Sequence, residues 1–379
     1  MSTSICCSPQ RIVGGDVEAV VEAVEQVPTH QLPVVFVSEE NEERLTELAA
    51  ELDTLDRPFV GALVPGVIFE SSLSYEDVIV LGIAGEPYLI EGLGEGEYSL
   101  DSLPDPAELG GGTFLLLVDG LCRHTGSFLR SFYARYGTGP LYCGTGVGSL
   151  KSGPGPCLIA PGRVVGGAAI AIHIPQSVTL GVGHGFERVM GPVIATDVDG
   201  NAIQQLNWRP AFDVYREAIE PALGEKLSIE NLMERSRRYT FGLERTGDED
   251  VVRDLIATRE DGALIAVVDI PSNAILHILE GKPDRLIAAA EEAAVACSHD
   301  GDTPQQHLLF DCLTRVELLG DRFNAEAAAV RRGVGAENSP RPLVGVLSVG
   351  EISSIGDRYL EFLNKTAVVV SIPVGSDDE

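Results

Sequence analysis

Three polar residues that can do chemistry stand at the ends of apolar runs near the carboxyl end of the chain. Arg315 closes the stretch Asp311-Cys312-Leu313-Thr314-Arg315, which follows the apolar run His307 to Phe310. Glu351 comes after Gly350, at the end of the run Pro342 to Val349. Asn364 precedes a last apolar run, Thr366 to Ile372. An arginine can hold a carboxylate through two parallel N–H bonds, and a glutamate can receive an ammonium. Together Arg315 and Glu351 suit a zwitterion such as an amino acid. The same pair also suits a salt bridge that ties two strand ends, and the residues leave both roles open. Gly350, Cys312 and Thr366 join Arg315, Glu351 and Asn364 as candidate ligand-binding residues. For Cys312 the competing role is a buried, inert thiol. For Asn364 and Thr366 it is a turn that bonds its own backbone.

His184 lies between Gly183 and Gly185, with room on both sides. It can donate to a ligand, bind haem iron or cap backbone. His173, His124, Asp119 and Trp208 are further candidates for lining a cleft, each with a structural role as the alternative. Catalytic signatures are missing. The chain has no G-x-S-x-G nucleophile elbow, no G-x-x-x-x-G-K-[ST] loop and no G-x-G-x-x-G after a strand. The run Gly144 to Gly148 has glycines at alternate positions and reads as a flexible loop or as a phosphate-binding nest. Seven cysteines without C-x-x-C spacing, Cys6-Cys7 among them, read as free thiols rather than zinc ligands.

These residues need elements to hold them. Strand, turn, helix and strand over residues 307–372 make one α/β unit, whose strand ends open into a shared crevice. Apolar spacing predicts helices over residues 16–27, 41–55, 125–136, 229–238 and 285–297, with another starting at 211. Apolar runs predict strands at residues 33–37, 58–64, 114–118, 141–143, 164–174 and 262–270. Residues 181–201, with five glycines, read as a crossover, and 298–304 as a turn. The segment Pro58 to Gly66 matches Pro342 to Gly350 at five of nine positions. Each copy follows a strand and a helix, which favours duplication over chance likeness of buried strands. The strand Phe114 to Asp119, its helix and Pro140 to Gly144 form a weaker third copy. The fold class read from this is α/β: two related halves with mixed β-sheets, helices packed outside, and a cleft between them.

The order D-C-L-T-R, then an apolar strand into G-E-I, then N-K-T before a last strand, resembles the C-terminal half of the FIST family. Residues 181–215 resemble the family as well, in their Gly/His turn, G-P pair, T-x-x-x-G-N turn and P-A-x-x-x-Y helix start. Residues 33–66 and 114–174 match its N-terminal half more loosely. The resemblance implies a sensory module that works alone or fused to signalling proteins. It divides the chain into an N-terminal segment and helix (1–27), a FIST N-like domain (28–195) and a FIST C-like domain (196–379). It implies a small polar ligand and, with no kinase, cyclase, methyl-acceptor or F-box sequence beside the two halves, a separate signalling protein as partner. Some family members are haem-based nitric oxide sensors, which makes His184 the candidate haem ligand. An enzyme with an unrecognised site is the third reading.

The charge narrows the partners. The 379 residues hold 57 acidic and 27 basic side chains, for a net charge of −30. That argues against nucleic acid and against anionic membranes. Only Lys151, Lys226, Lys282 and Lys365 are lysines. A carboxylate-rich, lysine-poor surface reads as adaptation to concentrated salt, which screens self-repulsion. No apolar stretch reaches the ~18 residues of a membrane span, and the N-terminus lacks the pattern of a signal peptide. The expected location is the cytoplasm.

Overall fold

The computed structural model describes residues 8–245, 249–298, 303–336 and 341–374. Cys6, Cys7 and residues 299–302 of the expected turn lie outside them. The chain is an α/β protein built from one unit used three times. The first unit runs β1 (Gln10–Ile12), α1 (Val17–Glu25), β2 (Leu32–Ser38), α2 (Leu45–Asp53), β3 (Val60–Val64), a hairpin of β4 (Val67–Phe69) and β5 (Ser72–Ser74), and β6 (Val78–Ile83). The second runs β7 (Glu86–Ile90), β8 (Thr113–Asp119), α3 (Thr125–Tyr136), β9 (Leu141–Val147), a hairpin of β10 (Leu158–Ala160) and β11 (Arg163–Val165), and β12 (Ala169–Ile174).

The third unit opens with β13 (Thr179–Gly183) and is then interrupted by an insertion. The insertion holds β14 (Phe186–Asp199), β15 (Ala202–Leu206), β16 (Arg209–Pro210), α4 (Ala211–Leu223), α5 (Leu232–Ser236), β17 (Tyr239–Leu243), β18 (Val251–Arg253), β19 (Leu255–Thr258), β20 (Leu264–Ala266) and β21 (Ile275–Gly281). The unit resumes with α6 (Pro283–Ala296), β22 (Gln305–Cys312), α7 (Leu313–Leu319), α8 (Phe323–Gly333), β23 (Val344–Ser348), a hairpin of β24 (Glu351–Ile355) and β25 (Tyr359–Leu363), and β26 (Ala367–Pro373).

The units assemble by handing on their hairpins. Sheet one has the order β1-β6-β2-β3-β10-β11, sheet two β7-β12-β8-β9-β24-β25, and sheet three β13-β26-β22-β23-β4-β5. In each, a parallel central pair sits at the same register: Val34 opposite Val60, Phe114 opposite Tyr142, Leu308 opposite Val344. In each, the sixth-strand hairpin comes from another unit, entering through Leu158 opposite Ala62, Ile352 opposite Gly144 and Val67 opposite Val346. The segments starting at Pro58, Pro140 and Pro342 therefore lead into equivalent strands, and the weaker third copy in the sequence is a full member of the set.

Period-2 alternation explains the layering. In β8, Leu115 and Leu117 face a core shared by all three sheets, while Phe114, Leu116 and Val118 pack under α3 with Phe128 and Phe132. In β22, Leu308 and Phe310 face the shared core, while Leu309 packs under α6 and α8 with Ala290, Ala327 and Val330. The insertion is an all-antiparallel sheet with its own core, built from residues such as Ile203, Tyr215, Phe241 and Ile278. At its β15–β16 turn, Asn207 and Trp208 both hold left-handed φ angles, 50° and 59°, and the indole is 76% exposed.

Several local expectations change; the strand expected over residues 262–270 is only Leu264–Ala266. Gly144 to Val147 is strand rather than loop, because a Cβ on Gly144 would lie 2.0 Å from the Leu116 carbonyl oxygen, and one on Gly146 2.7 Å from that of Val349. Residues 181–201 form β13 and β14 rather than an irregular crossover, and β14 runs unbroken through residue 195. No helix among the described residues is long and apolar enough to cross a membrane.

Candidate ligand-binding site

Arg315 is the centre of a buried knot between sheet three and its helices. It sits in the first turn of α7 and is fully buried. All five of its N–H groups have acceptors. Nε donates to Glu326 Oε1 at 3.0 Å, Nη1 to the carbonyls of His184 and Lys365 at 2.8 and 3.0 Å, and Nη2 to the Leu286 carbonyl at 2.9 Å and to Glu326 Oε2. Asp311 Oδ1 lies 3.2 Å from Nε. The salt bridges of Arg315 thus go to Glu326 and Asp311, not to Glu351. One guanidinium joins β22, α6, α8, the end of β13 and the turn before β26. Asp311 is the penultimate residue of β22, not part of a polar turn. Burial, with Glu326 beside it, pushes its carboxyl well above the usual carboxylate range.

Glu351 lies on the other side of β22, also fully buried. Its Oε2 accepts from the Thr366 backbone N–H at 3.1 Å, and Oε1 has no hydrogen-bond partner. Burial raises this carboxyl to about 8. The Thr366 carbonyl accepts from the Cys312 N–H at 3.3 Å, and the Cys312 thiol lies 3.1 Å from the Thr314 hydroxyl. Burial pushes that thiol upward, so it is not poised as a thiolate. Asn364 Oδ1 accepts from the Asp254 N–H at 3.3 Å, while Thr366 Oγ1 donates to the Asn364 carbonyl at 2.8 Å. Gly350 has φ +112°, and a Cβ there would fall 2.1 Å from the Phe362 ring, so its place is set by packing.

His184 is 4% exposed, and both ring nitrogens are engaged. Nδ1 accepts from the Phe186 N–H at 2.8 Å; Nε2 therefore carries the proton and donates to the Asp250 carbonyl at 2.9 Å. Burial, then the nearby Arg315 charge, lowers its pKa to about 4, so the ring is neutral.

The knot backs onto a cavity of about 550 Å³. Its walls are Leu141, residues 178–184 around β13, residues 249–252 of the insertion, residues 354–358 of the β24–β25 hairpin, Leu363 and Thr366. Of the seven candidate residues, His184 and Thr366 reach this cavity; Arg315, Glu351, Cys312, Asn364 and Gly350 do not line it and hold its wall from behind. The cavity lies at the seam between the three-sheet body and the insertion. Ion pairs close that seam around it: Lys365 Nζ with Asp254 at 3.0 Å, Arg253 with Glu361 at 2.7 Å, and Arg245 with Glu361. The other candidates lie elsewhere. His173 Nε2 contacts the Gly111 carbonyl, His124 Nδ1 the Leu93 carbonyl, and Asp119 accepts from the N–H groups of Leu121 and Gly167.

Residues 31–209 match the model of the FIST N domain, and residues 211–354 that of the FIST C domain. The chain belongs to the FIST family. FIST domains are sensory domains of signal transduction. Among curated proteins, none matches the chain. The cavity draws on both FIST stretches: Leu141 and residues 178–184 come from the first, residues 249–252 and Ser354 from the second. Haem, known from some FIST proteins, does not fit His184 here. A haem ligand must offer iron a nitrogen lone pair. Nδ1 has given its lone pair to the Phe186 N–H, and Nε2 bears the proton bonded to Asp250.

The cavity walls were not legible as such in the sequence. Residues 181–182 read as part of a crossover, and 178–180 and 251–252 carried no distinctive signal. One signal was available for the knot: Glu326 stands three residues after Phe323 and next to Ala327, on the apolar face of α8, where an unpaired carboxylate would be costly.

Proposed function

We propose that this FIST protein is a cytosolic sensory module that binds a small molecule in the seam cavity and passes the signal to a separate protein. One observation carries the reading. The cavity is the place where the three-sheet body and the insertion meet, so a ligand there touches both. Concave sites of roughly 300–1,000 Å³ with apolar walls and a few polar groups are the usual form of small-ligand pockets. Here Val178, Leu180, Val182, Val251, Val252, Ile355 and Leu363 supply the apolar walls, and Thr179, His184, Glu249, Asp250, Ser354, Arg358 and Thr366 supply polar groups. Such a lining favours a molecule with both polar and apolar parts, a class that includes amino acids with apolar side chains. Binding that bridges the two bodies shifts their relative placement by the difference in affinity for the two arrangements.

The test is native mass spectrometry of the purified chain, followed by release and identification of whatever it carries. A small molecule released unchanged, and lost in the cavity-filling variant Val182→Trp, is the expected result. A bound molecule that survives Val182→Trp places the site elsewhere, and turnover of that molecule makes the protein an enzyme.

A further inference from the structure

Among the described residues, one cation that lines the cavity has no carboxylate partner. Arg358 lines it at the turn between β24 and β25. Among the described residues, its guanidinium has one hydrogen bond, from Nη1 to the Gly139 carbonyl at 3.3 Å, and no carboxylate within ion-pair distance. Other charges near the cavity are spoken for. Arg188 holds Asp250 through two bonds of 2.6 Å, and Glu249 accepts from the backbone N–H groups of His184 and Gly185. His184 is neutral.

Its backbone points the same way. The connection Gly356-Asp357-Arg358 is a three-residue hairpin loop, and Arg358 has φ +68°. That left-handed position most often takes glycine, because a β-carbon is strained there. Such strained positions cluster at functional sites; the other cation of this kind, Lys365 at φ +54°, is held by Asp254, whereas Arg358 has no such carboxylate among the described residues. Four residues earlier on the same hairpin, the Ser354 hydroxyl accepts from the Tyr142 N–H at 2.8 Å and keeps its own proton to donate.

We propose that Arg358 reads the acidic head of the ligand, and that the ligand class is a monocarboxylate with an apolar body. The planar guanidinium matches a carboxylate through two parallel bonds. The apolar walls take the body. A phosphate monoester, with up to two negative charges, would need more cation than this wall offers against the negative field of the protein. The assignment rests on the cavity being the ligand site, and the experiment separates the two.

Isothermal titration calorimetry on the full chain uses three probes with one body: octanoate, 1-octanol and octylamine. The wild type should bind octanoate at least about tenfold tighter than 1-octanol, the effect of a hydrogen bond to a charged group. Arg358→Gly removes the guanidinium and relieves the left-handed β-carbon. It should erase the difference while its melting temperature stays level or rises, which excludes unfolding as the cause. Equal affinity for octanoate and 1-octanol in the wild type, unchanged octanoate affinity in Arg358→Gly, or tightest binding of octylamine overturns the carboxylate assignment. In those cases loss of 1-octanol binding in Val182→Trp still supports the cavity. If none of the three probes binds the wild type, the cavity reading falls and the assignment with it.

Discussion

Arg315→Met tests whether the buried knot is a structural hub. The substitution keeps a side chain of similar length but leaves Glu326 charged, buried and unpaired, and strips a donor from the carbonyls of His184, Lys365 and Leu286. Breaking a buried ion pair from one side costs about 3–5 kcal/mol. Each orphaned carbonyl costs about 1–3 kcal/mol in isolation, although local relaxation makes these terms overlap. Against a total stability of about 5–15 kcal/mol, Arg315→Met should be barely folded at 25 °C. The double variant Arg315→Met/Glu326→Leu removes the Arg315–Glu326 pair, leaving Asp311 with its raised carboxyl, and should recover at least about 2 kcal/mol, since apolar replacement of a buried pair is often neutral. Urea unfolding followed by far-UV circular dichroism measures both. Arg315→Met within about 1 kcal/mol of wild type would refute the hub, because no arrangement that leaves Glu326 charged and buried is that cheap. A double variant no better than the single one would show that the carbonyls, not the carboxylate, carry the cost.

Stability should be nearly level between about pH 4.5 and 6 and should fall above that. Glu351, raised to about 8 from an ordinary 4.5, keeps a proton that the unfolded chain loses, so its contribution falls as pH rises from 4.5 through 8, with Asp311 acting in the same direction. His184 and His307, lowered to about 4 from 6.5, exclude a proton that the unfolded chain binds, so their contribution rises between pH 4 and 6.5. Above that only the carboxyls act, at up to about 1.4 kcal/mol per pH unit for each proton. Glu351→Gln should flatten the decline from pH 6.5 to 8 in urea titrations; an unchanged slope would mean that the carboxyl is already ionised. Trp208→Gly should stabilise by about 0.5–1 kcal/mol, because relief of a left-handed β-carbon, about 1–2 kcal/mol, exceeds the unfolded-state entropy that glycine adds. A fall in melting temperature would show that the indole makes a contact worth more than its strain. The melting temperature of the wild type should rise between 0.1 and 3 M KCl as screening shortens from ~10 Å to below ~3 Å; a flat profile counts against salt adaptation.

The sequence made the knot visible but not its partners. Arg315, Glu351, Asn364 and Thr366 stood out because polar residues interrupt apolar runs, and such interruptions mark strand ends. What each one bonds is set by segments far away in the chain, such as Leu286, Glu326 and His184, and local periodicity carries no such information. Asp311 read as a turn for the same reason: a carboxylate belongs inside a strand only when a cation faces it, and Arg315 does so from the next helix. Gly144 and Gly146 read as a loop because glycine usually marks one, yet here close approach of the Leu116 and Val349 carbonyls requires them within a strand. The repeat was legible because buried strands at equivalent positions keep the same Pro and Gly boundaries. The exchange of hairpins was not, since nothing in the β4–β5 segment says which edge it will join.

That exchange fixes the order in which the molecule can be finished. The β4–β5 hairpin leaves the ribosome early, but the edge it completes, β23, begins only at Val344. Until then the hairpin has no native partner from its own chain. A strand edge left open in this way is a site for pairing with another molecule. The opening of one unit matches the hairpin of any second copy. At high concentration, chains released before β23 has folded should therefore trade hairpins between molecules and close into dimers that contain every native strand pair, while slow, dilute refolding favours the single closed ring.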